Sequence, residues 1–423
     1  NEDTVTVTFT NREGKFARIY SQKQPDDLSA KNNGEKALVA EVVMENGEGS
    51  FDFPASEFPY GPITVRIDVH SSTNADSKNI IDTIYPQFYN AVGVDWRAGL
   101  DKAPQNPVTA GMNITFQDDF NAMPELTVQG NDMGETGIIG PGEAHSYATR
   151  KIDEERGGMF GWAFFADHDG TKYDPFAIKD DEYMKLSTTY WPEGNIPGAS
   201  DYWNQKVTAG YLSSMGQDGS GFHTTGGHNQ YFECRMFTGT NPALWPAFWL
   251  LTSNGAIGAD NWGGPSDEID VLEGYLGSPN GYQATGHQWD YNTGKGAGNW
   301  NIMETEAFSN INLAMGFHTF AVLVTEKTTY YYCDNIEVFS HETMDVSWDI
   351  GSYFIINGGV SDHFGLPQDG ADNFGPSSQP FGFTRYGNTA ETYVDWVRVW
   401  EDDDSTPRFE MTKSTVKAIP NDF

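Results

Sequence analysis

The chain is short of cysteine, of basic residues and of long apolar runs. Two cysteines, Cys234 and Cys333, among 423 residues are too few for a disulfide framework, so we expect two buried free thiols. Lys and Arg total 25 against 60 Asp and Glu, a formal net charge of −35. This acidic excess argues against nucleic-acid partners and disfavours anionic membrane surfaces. The longest apolar run, residues 243–251, has about half the length that a membrane-spanning helix needs.

Helical periodicity is nearly absent as well, and the 46 glycines and 21 prolines are typical of a turn-rich β protein. The length suggests two or three domains. Short alternating segments over residues 1–107 predict a small β sandwich, immunoglobulin-like or carbohydrate-binding-like, with a linker at 100–113. Denser strand signals predict a larger β domain over residues 108–405, followed by a loosely ordered tail at 406–423.

The first residues alternate like a strand and lack a basic and apolar leader. We therefore expect a secreted or extracellular protein from which the signal segment has been removed. The acidic surface fits a secreted protein in salty water, and we expect a monomer.

Residues 267–273 carry acidic side chains at strand spacing. Glu268 and Asp270 share one face of a strand, whereas Glu273 falls on the opposite face if the strand is regular. A one-residue bulge at 271–272 restores the parity and brings the three carboxylates to one face. The α-carbons of Glu268 and Glu273 are then about 13 Å apart. Inward-leaning side chains shorten the carboxylate separation to roughly 5 Å, the separation of the catalytic pair in retaining glycosidases.

The spacing alone is weak, since 60 acidic residues among 423 should produce it about once by chance. A solvated acidic face is the alternative interpretation. The context favours catalysis, because these acids alternate with Ile and Val on a strand whose other face belongs to a core among Trp-rich neighbours.

Several ordered motifs together resemble glycoside hydrolase family 16, in the branch of laminarinases, agarases and carrageenases. The bulged E-x-D-x-x-E signature corresponds to EIDVLE at 268–273. The other matching motifs are FQDDF at 116–120, YFECR at 231–235, LWPAFWLL at 244–251, FHTFA at 317–321 and YVDWVRV at 393–399. The resemblance covers residues 114–401. It implies an all-β fold, a concanavalin-like β-jelly-roll catalytic domain that here follows the smaller sandwich.

The resemblance also implies roles for the three carboxylates. Glu268 corresponds to the nucleophile, Asp270 to the assisting acid and Glu273 to the general acid/base. Such an enzyme hydrolyses a glycosidic bond with retention of the anomeric configuration and needs no cofactor for catalysis.

Two tryptophans are candidates for sugar binding. Trp245 matches the family tryptophan that stacks on a sugar ring beside the scissile bond, although a bare Trp is more often a core residue. Trp249 lies on the same face as Trp245 if the strand is regular.

Four further residues fit substrate recognition. Glu233 and Arg235 are predicted to project to the same side, with a structural ion pair across strands as the alternative. His287 and Trp289 resemble the His-x-Trp element that lines the family's cleft, with a satisfied loop histidine as the alternative.

Family members often hold a calcium ion on the convex face, between an Asp of the final strand and a carboxylate near the first. The matching positions are Asp395 and either Asp118 or Asp119, and Asp119 is the predicted partner. Carboxylate oxygens suit calcium.

The sequence thus predicts an endo-acting, retaining hydrolase of a β-linked marine or cell-wall polysaccharide, with a slight preference for a neutral glycan. A transglycosylase uses the same carboxylates. A non-catalytic glycan-binding jelly roll and a polysaccharide lyase with a Tyr or His base are the alternatives from other classes. The smaller domain binds carbohydrate or only spaces the larger one.

Overall fold

A computed structural model gives the fold of the chain as two compact units, Asn1–Asp95 and Trp96–Phe423. The structure describes residues 4–21, 37–54, 61–73, 79–84, 87–90, 105–128, 133, 145–149, 159–160, 163–198, 206–241, 243–253, 265–276, 281–290, 295–303, 313–360 and 388–402. Residues 91–104 and 403–423 lie outside these ranges. The predicted tail at 406–423 therefore stays a prediction, and so does the predicted domain boundary at 107.

The first unit is built from alternating strands, as its sequence predicts. Its strands are β1 (Thr4–Thr10), β2 (Phe16–Ser21), β3 (Ala37–Val43), β4 (Glu48–Pro54), β5 (Gly61–His70), β6 (Ile80–Ile84) and β7 (Gln87–Asn90). β1 pairs with β4, and a second sheet has the order β3-β2-β5-β6 with β7 on β5. Val65, Ile67 and Val69 alternate along β5 and are buried in this unit's core, which is the expected pattern for a strand with one face on a core.

The second unit contains the remaining strands and a short helix. The first nine are β8 (Asn113–Asp118), β9 (Glu125–Thr127), β10 (Ser146–Ala148), β11 (Met159–Phe160), β12 (Ala163–Phe165), β13 (Phe176–Lys179), β14 (Tyr183–Tyr190), β15 (Val207–Ala209) and β16 (Tyr211–Ser213). The others are β17 (Gln230–Phe237), β18 (Ala247–Thr252), β19 (Pro265–Glu273), β20 (Gln283–Asp290), β21 (Lys295–Met303), β22 (His318–Val324), β23 (Thr328–Cys333), β24 (Ile336–Glu342), α1 (Asp345–Ile350), β25 (Ser352–Asn357) and β26 (Thr389–Glu401).

Two sheets of the second unit pack face to face. In the described residues, one has eight strands in the order β21-β20-β19-β18-β25-β16-β10-β9. The other has the order β11-β12-β15-β14-β26-β17-β22-β23-β24, with β13 on β14 and β8 on β26. Aromatic side chains of both sheets meet between them; the rings of Phe116 on β8 and Phe354 on β25 are 5.1 Å apart. This two-sheet sandwich with non-sequential strand order confirms the predicted all-β class.

The segment before β8 packs against the larger unit. A 3₁₀ turn at Pro107–Thr109 is capped by Asn106, whose side chain accepts a hydrogen bond from the Val108 N–H. The same side chain donates to the Tyr231 hydroxyl at 3.0 Å, and Met112 packs beside Val108 on the cluster around Tyr231. Part of the predicted linker therefore packs on the cluster around Tyr231 of β17, where Val108 and Met112 are half-buried.

The structure bears on two expectations from the composition, the state of the cysteines and the membrane-spanning helix. Cys234 and Cys333 are free and buried, which confirms the two expected thiols. In the part of the chain that the structure describes, no helix has both the length and the apolar character to cross a membrane.

Candidate active site

The acidic segment lies on β19, near the middle of the eight-stranded sheet. Its register against β18 and β20 shifts between Asp270 and Glu273, so that one extra residue, Val271, is accommodated. This is the predicted bulge, and it returns Glu273 to the face of Glu268 and Asp270. Ile269 is buried in the core between the sheets, so the three carboxylates project to the opposite face. We call Glu268, Asp270 and Glu273 the carboxylate cluster.

The pairing of β19 with β20 adds a histidine to the carboxylate cluster. Glu268 lies opposite His287 in the register, and directly paired residues share a face. His287 Nε2 is 3.1 Å from Asp270 Oδ2. Polar atoms of Glu268, Asp270 and His287 all lie within 4.8 Å of one another. The structure therefore brings His287 to the predicted nucleophile and assisting acid.

Burial and like charge raise the pKa of two members of the carboxylate cluster. Burial and then the charge of Glu268 raise the pKa of Asp270 to about 7, against the opposing effect of His287. Burial and then the charge of Asp270 raise the pKa of Glu273 to about 8, although a hydrogen bond from Tyr275 lowers it. Glu273 is thus protonated near neutral pH, which a general acid requires.

Two aromatic residues lie beside Glu273. The Tyr275 hydroxyl donates a hydrogen bond to Glu273 Oε1 at 2.9 Å. The ring of Trp245 stacks on that of Tyr275, with centroids 5.5 Å apart and planes 16° apart. The indole N–H of Trp245 is buried and makes no hydrogen bond of normal geometry with the described residues, yet it lies near enough to Glu273 to lower the pKa of that carboxyl. The structure thus places Trp245 at the site, as predicted.

Trp249 lies on β18, next to the carboxylate cluster. It pairs with Asp270 across β18 and β19, but it is only 4% exposed. Its indole N–H donates to Asn357 Oδ1 at 2.8 Å, and Asn357 Nδ2 donates to the Gly358 carbonyl. With its ring buried and its one donor satisfied, Trp249 offers little surface to a sugar. Because paired residues share a face, Trp249 lies on the same side of the sheet as Asp270, and its predicted sugar contact stays a prediction.

Glu233 and Arg235 lie on the other sheet. They flank Cys234 on β17, and Cys234 faces the core between the sheets. Both side chains therefore project from the far side of the sandwich, away from the carboxylate cluster. Arg235 Nε is 3.4 Å from Asp395 Oδ2, and the Tyr231 hydroxyl donates to Glu233 Oε1 at 3.2 Å. The predicted substrate contact is wrong, because alternation fixes a residue's face within its strand but not the sheet it joins.

The side chain of Trp289 lies outside the described residues. Its backbone pairs with Ser266, at the start of β19. Its predicted sugar contact therefore stays a prediction.

The predicted calcium pair is occupied by other groups. Arg398 Nη2 donates to Asp119 Oδ1 at 2.9 Å and Gln117 Nε2 donates to Oδ2 at 2.7 Å. Asp395 faces Arg235. Two guanidinium groups thus neutralise the charges that would hold the cation, and both oxygens of Asp119 are engaged. These residues do not fit a calcium site, and we derive no role for the ion.

Other ligand-type side chains do come together in the described part of the chain. Groups of three that offer metal-ligand atoms are His318 with Cys333 and Asp334, and Glu268 with Asp270 and His287. Neither contains a member of the predicted calcium pair.

Sequence reasoning missed the residues that support the carboxylate cluster. Tyr275 is two residues after Glu273, so strand parity would have placed it on the same face. No local signal reveals the support from the other sheet. There the Tyr331 hydroxyl donates to the Thr285 carbonyl at 3.2 Å and lies 3.0 Å from His341 Nε2. A Cβ on Gly286 would lie 2.7 Å from the same nitrogen, so β20 packs closely on these side chains.

Comparisons with known proteins agree with the motifs. Residues 175–353 match the family model described as Glycosyl hydrolases family 16. Over 160 residues the chain is 32% identical to Endo-1,3-1,4-beta-glycanase ExsH and 30% identical to Endo-1,3-1,4-beta-glycanase EglC, both of Rhizobium meliloti (strain 1021). These alignments cover 38% of this chain and 30% of each relative. The chain thus spans less than a third of the length of the curated relatives that it matches.

Solved structures of glucanases resemble the chain at low sequence identity. The catalytic domain of an endo-1,3-beta-glucanase (laminarinase) from Thermotoga petrophila RKU-1 aligns with a TM-score of 0.44 and 16% identity, over 69% of this chain and 99% of that one. LamAcat from Zobellia galactanivorans aligns with a TM-score of 0.47 and 16% identity, over the same shares of the two chains. The residues that match this family model, 175–353, lie in the larger unit and include β19 with its bulge.

Proposed function

We propose that this chain is an endo-acting, retaining glycoside hydrolase of a β-linked glucan. The observation that carries the proposal is the bulge on β19, which sets Glu268, Asp270 and Glu273 on one face. Burial and the neighbouring Asp270 keep Glu273 protonated, because they raise its pKa to about 8. Nucleophile and acid then flank one glycosidic bond, as double displacement requires.

In the first step, a carboxylate oxygen of Glu268 attacks the anomeric carbon. The bond from that carbon to the glycosidic oxygen breaks, and Glu273 gives its proton to the departing oxygen. The products are a glycosyl ester on Glu268, a shortened glucan with a free hydroxyl, and Glu273 as a carboxylate.

In the second step, Glu273 takes a proton from a water molecule whose oxygen attacks the same anomeric carbon. The ester bond breaks and the Glu268 carboxylate is restored, so two inversions retain the β configuration. Asp270 lies between the two glutamates in sequence and contacts His287 at 3.1 Å. Because its pKa is about 7, a protonated Asp270 can donate a hydrogen bond to the Glu268 carboxylate.

The relatives favour a glucan as the substrate. Two are named endo-1,3-1,4-β-glycanases and a third, 28% identical over 179 residues, is Glucan endo-1,3-beta-glucosidase A1 of Niallia circulans. A neutral glucan also suits a chain of net charge −35, which repels sulfated polymers at low salt. The half-buried Trp245 beside Glu273 offers an apolar ring face to a pyranose.

The direct test is reducing-end release from laminarin, mixed-linkage β-glucan, cellulose, agarose and carrageenan. We expect release from laminarin or mixed-linkage β-glucan, and loss of it in Glu268→Gln. Proton NMR of the first product then reports its anomer. A β anomer supports double displacement, whereas an α anomer excludes it.

The alternatives give different results in the same assay. Tight binding without release, unaffected by Glu268→Gln and Glu273→Gln, would make the domain a non-catalytic glycan binder. Longer products at high oligosaccharide concentration would indicate transglycosylation, in which a sugar hydroxyl replaces water. Products that absorb in the ultraviolet would indicate a lyase.

A further inference from the structure

We propose that Tyr275 is a positioning residue that holds Glu273 by one carboxyl oxygen, so that the other oxygen carries the proton to the leaving group. The inference rests on the proposed function of Glu273. It adds a residue that lies beyond the E-x-D-x-x-E motif.

The backbone around Tyr275 is fixed on both sides. The Gly274 N–H donates to the Pro246 carbonyl at 2.9 Å, and the Leu276 N–H donates to the Leu244 carbonyl at 3.1 Å. These two bonds are a short antiparallel pairing between the segments 274–276 and 244–246. Tyr275 therefore lies opposite Trp245, which explains why their rings stack.

The approach of the two segments is close. A Cβ on Gly274 would lie 3.2 Å from Pro246 Cγ, which leaves little room for the backbone to shift. The Tyr275 ring is packed on Trp245 with 16° between the planes, so its hydroxyl has a defined position. That hydroxyl reaches Glu273 Oε1 at 2.9 Å, a normal hydrogen-bond distance.

This hydrogen bond changes strength during the proposed reaction. When Glu273 gives up its proton, its carboxylate gains a full negative charge, and the Tyr275 O–H···Oε1 bond becomes charge-assisted and stronger. A bond that strengthens as charge develops lowers the barrier of that step. The bond also restrains rotation of the carboxyl group, which leaves Oε2 as the oxygen that exchanges the proton.

The test is Tyr275→Phe, which keeps the ring on Trp245 and removes only the hydroxyl. The matched control is Tyr282→Phe, since Tyr282 is buried and its ring packs edge-on against Phe320 of the other sheet. Each variant is assayed on the glucan and on an aryl β-oligoglucoside with a dinitrophenolate leaving group, which departs without a proton. Thermal unfolding shows that each variant is folded.

We expect Tyr275→Phe to lower kcat/KM on the glucan by about 10- to 100-fold, as for loss of a hydrogen bond to a charged group. On the dinitrophenyl substrate we expect less than about a twofold change, because kcat/KM there reports a step that needs no general acid. The basic limb of the pH profile on the glucan is expected to move to higher pH, since a lost donor raises the pKa of Glu273. Tyr282→Phe should leave kcat/KM on both substrates unchanged.

An equal loss on both substrates, or an unmoved basic limb, would overturn the role of Tyr275. A wild-type protein that hydrolyses no glucan would instead overturn the proposed function. A folded, active Tyr275→Phe with unchanged kcat/KM would overturn the positioning role and leave the function of Glu273 intact.

Discussion

The two sheets of the larger unit each carry a group of acids, and the two groups have opposite surroundings. The carboxylate cluster lies on the eight-stranded sheet. The second group, which we call the arginine cluster, lies on the other sheet and consists of Asp119, Glu233, Arg235, Asp395 and Arg398. Burial raises the pKa of Glu233 to about 7, as high as that of Asp270. A raised pKa alone therefore does not separate a catalytic acid from a structural one.

What separates them is the sign of the neighbouring charges and the access to solvent. The charges of Arg398 and Arg235 lower the pKa of Glu233 and so oppose the effect of its burial. Glu233 is only 3% exposed. For Asp270 and Glu273, a neighbouring negative charge raises the pKa further. Glu273 is half-buried and therefore still accessible to solvent. Holding like charges together costs stability, and such an arrangement marks a site kept for chemistry.

The largest expected effect separates the two clusters directly. Glu268→Gln is expected to lower kcat/KM on the glucan by about 10⁴-fold, because the amide cannot form the glycosyl ester. Glu233→Gln removes a buried acid of the same size from the arginine cluster and should change kcat/KM by less than about threefold. Reducing-end release measures both.

An equal loss of kcat/KM in folded Glu268→Gln and folded Glu233→Gln would contradict this distinction between the two clusters. In that case Glu233 would act on the site through the core, and the arginine cluster would not be purely structural. Circular dichroism and thermal unfolding of each variant provide the control.

The carboxylate cluster was predictable because its signals are local. The parity of Glu268 and Asp270, the bulge before Glu273 and the motif all belong to one strand. Glu233 and Arg235 were assigned to the wrong side because sheet membership depends on pairing with β22 and β26, which are distant in sequence. No pattern within a single strand carries that information.

The supporting contacts show the same limit. Asn106 caps its own turn and also reaches Tyr231, 125 positions along the chain. The sequence Asn-Pro predicts the capping of the turn, but it carries no signal for the hydrogen bond to Tyr231. The bond from Trp249 to Asn357 likewise joins strands that only the folded sheet brings together.

The next effect tests whether the arginine cluster is structural. Arg235→Met is expected to lower the free energy of unfolding by about 3–5 kcal/mol, because the buried Glu233 and the half-buried Asp395 lose a neutralising partner. Arg398→Met should cost about 0–1 kcal/mol, since its side chain is 30% exposed. Urea unfolding gives both values. A cost of Arg235→Met no larger than that of Arg398→Met would contradict a buried, charge-balanced cluster.

The pH profile sharpens the role of the carboxylate cluster. Glu273 must be protonated in the first step, and its pKa is about 8. We therefore expect kcat/KM on the glucan to fall about tenfold for each pH unit above that value. Glu273→Gln should be about 10²- to 10⁴-fold slower and flat over the same range. If kcat/KM of Glu273→Gln still falls at high pH, a group other than Glu273 titrates there.

The smallest effect concerns Asp267, which precedes Glu268 but faces the opposite side of the strand. Its Oδ2 accepts hydrogen bonds from the Ser347 N–H at 2.7 Å and from the Ser347 hydroxyl at 2.9 Å, in the first turn of α1. Burial raises the pKa of Asp267 to about 6. An acid whose pKa is raised on folding stabilises the fold most below its usual value of about 4, and that contribution is lost as the pH rises through about 6.

Asp267→Asn keeps an acceptor for Ser347 and removes this titration. The free energy of unfolding should then fall less between pH 4 and 7 than in the wild type, by at most about 3 kcal/mol, with kcat/KM at its optimum changed by less than about threefold. Urea unfolding at several pH values, with Asp349→Asn as an exposed control in the same helix, measures the difference. If Asp267→Asn moved the basic limb of kcat/KM as well, a buried acid with a structural partner would also tune the chemistry, and neighbouring charge would no longer distinguish the two kinds of site.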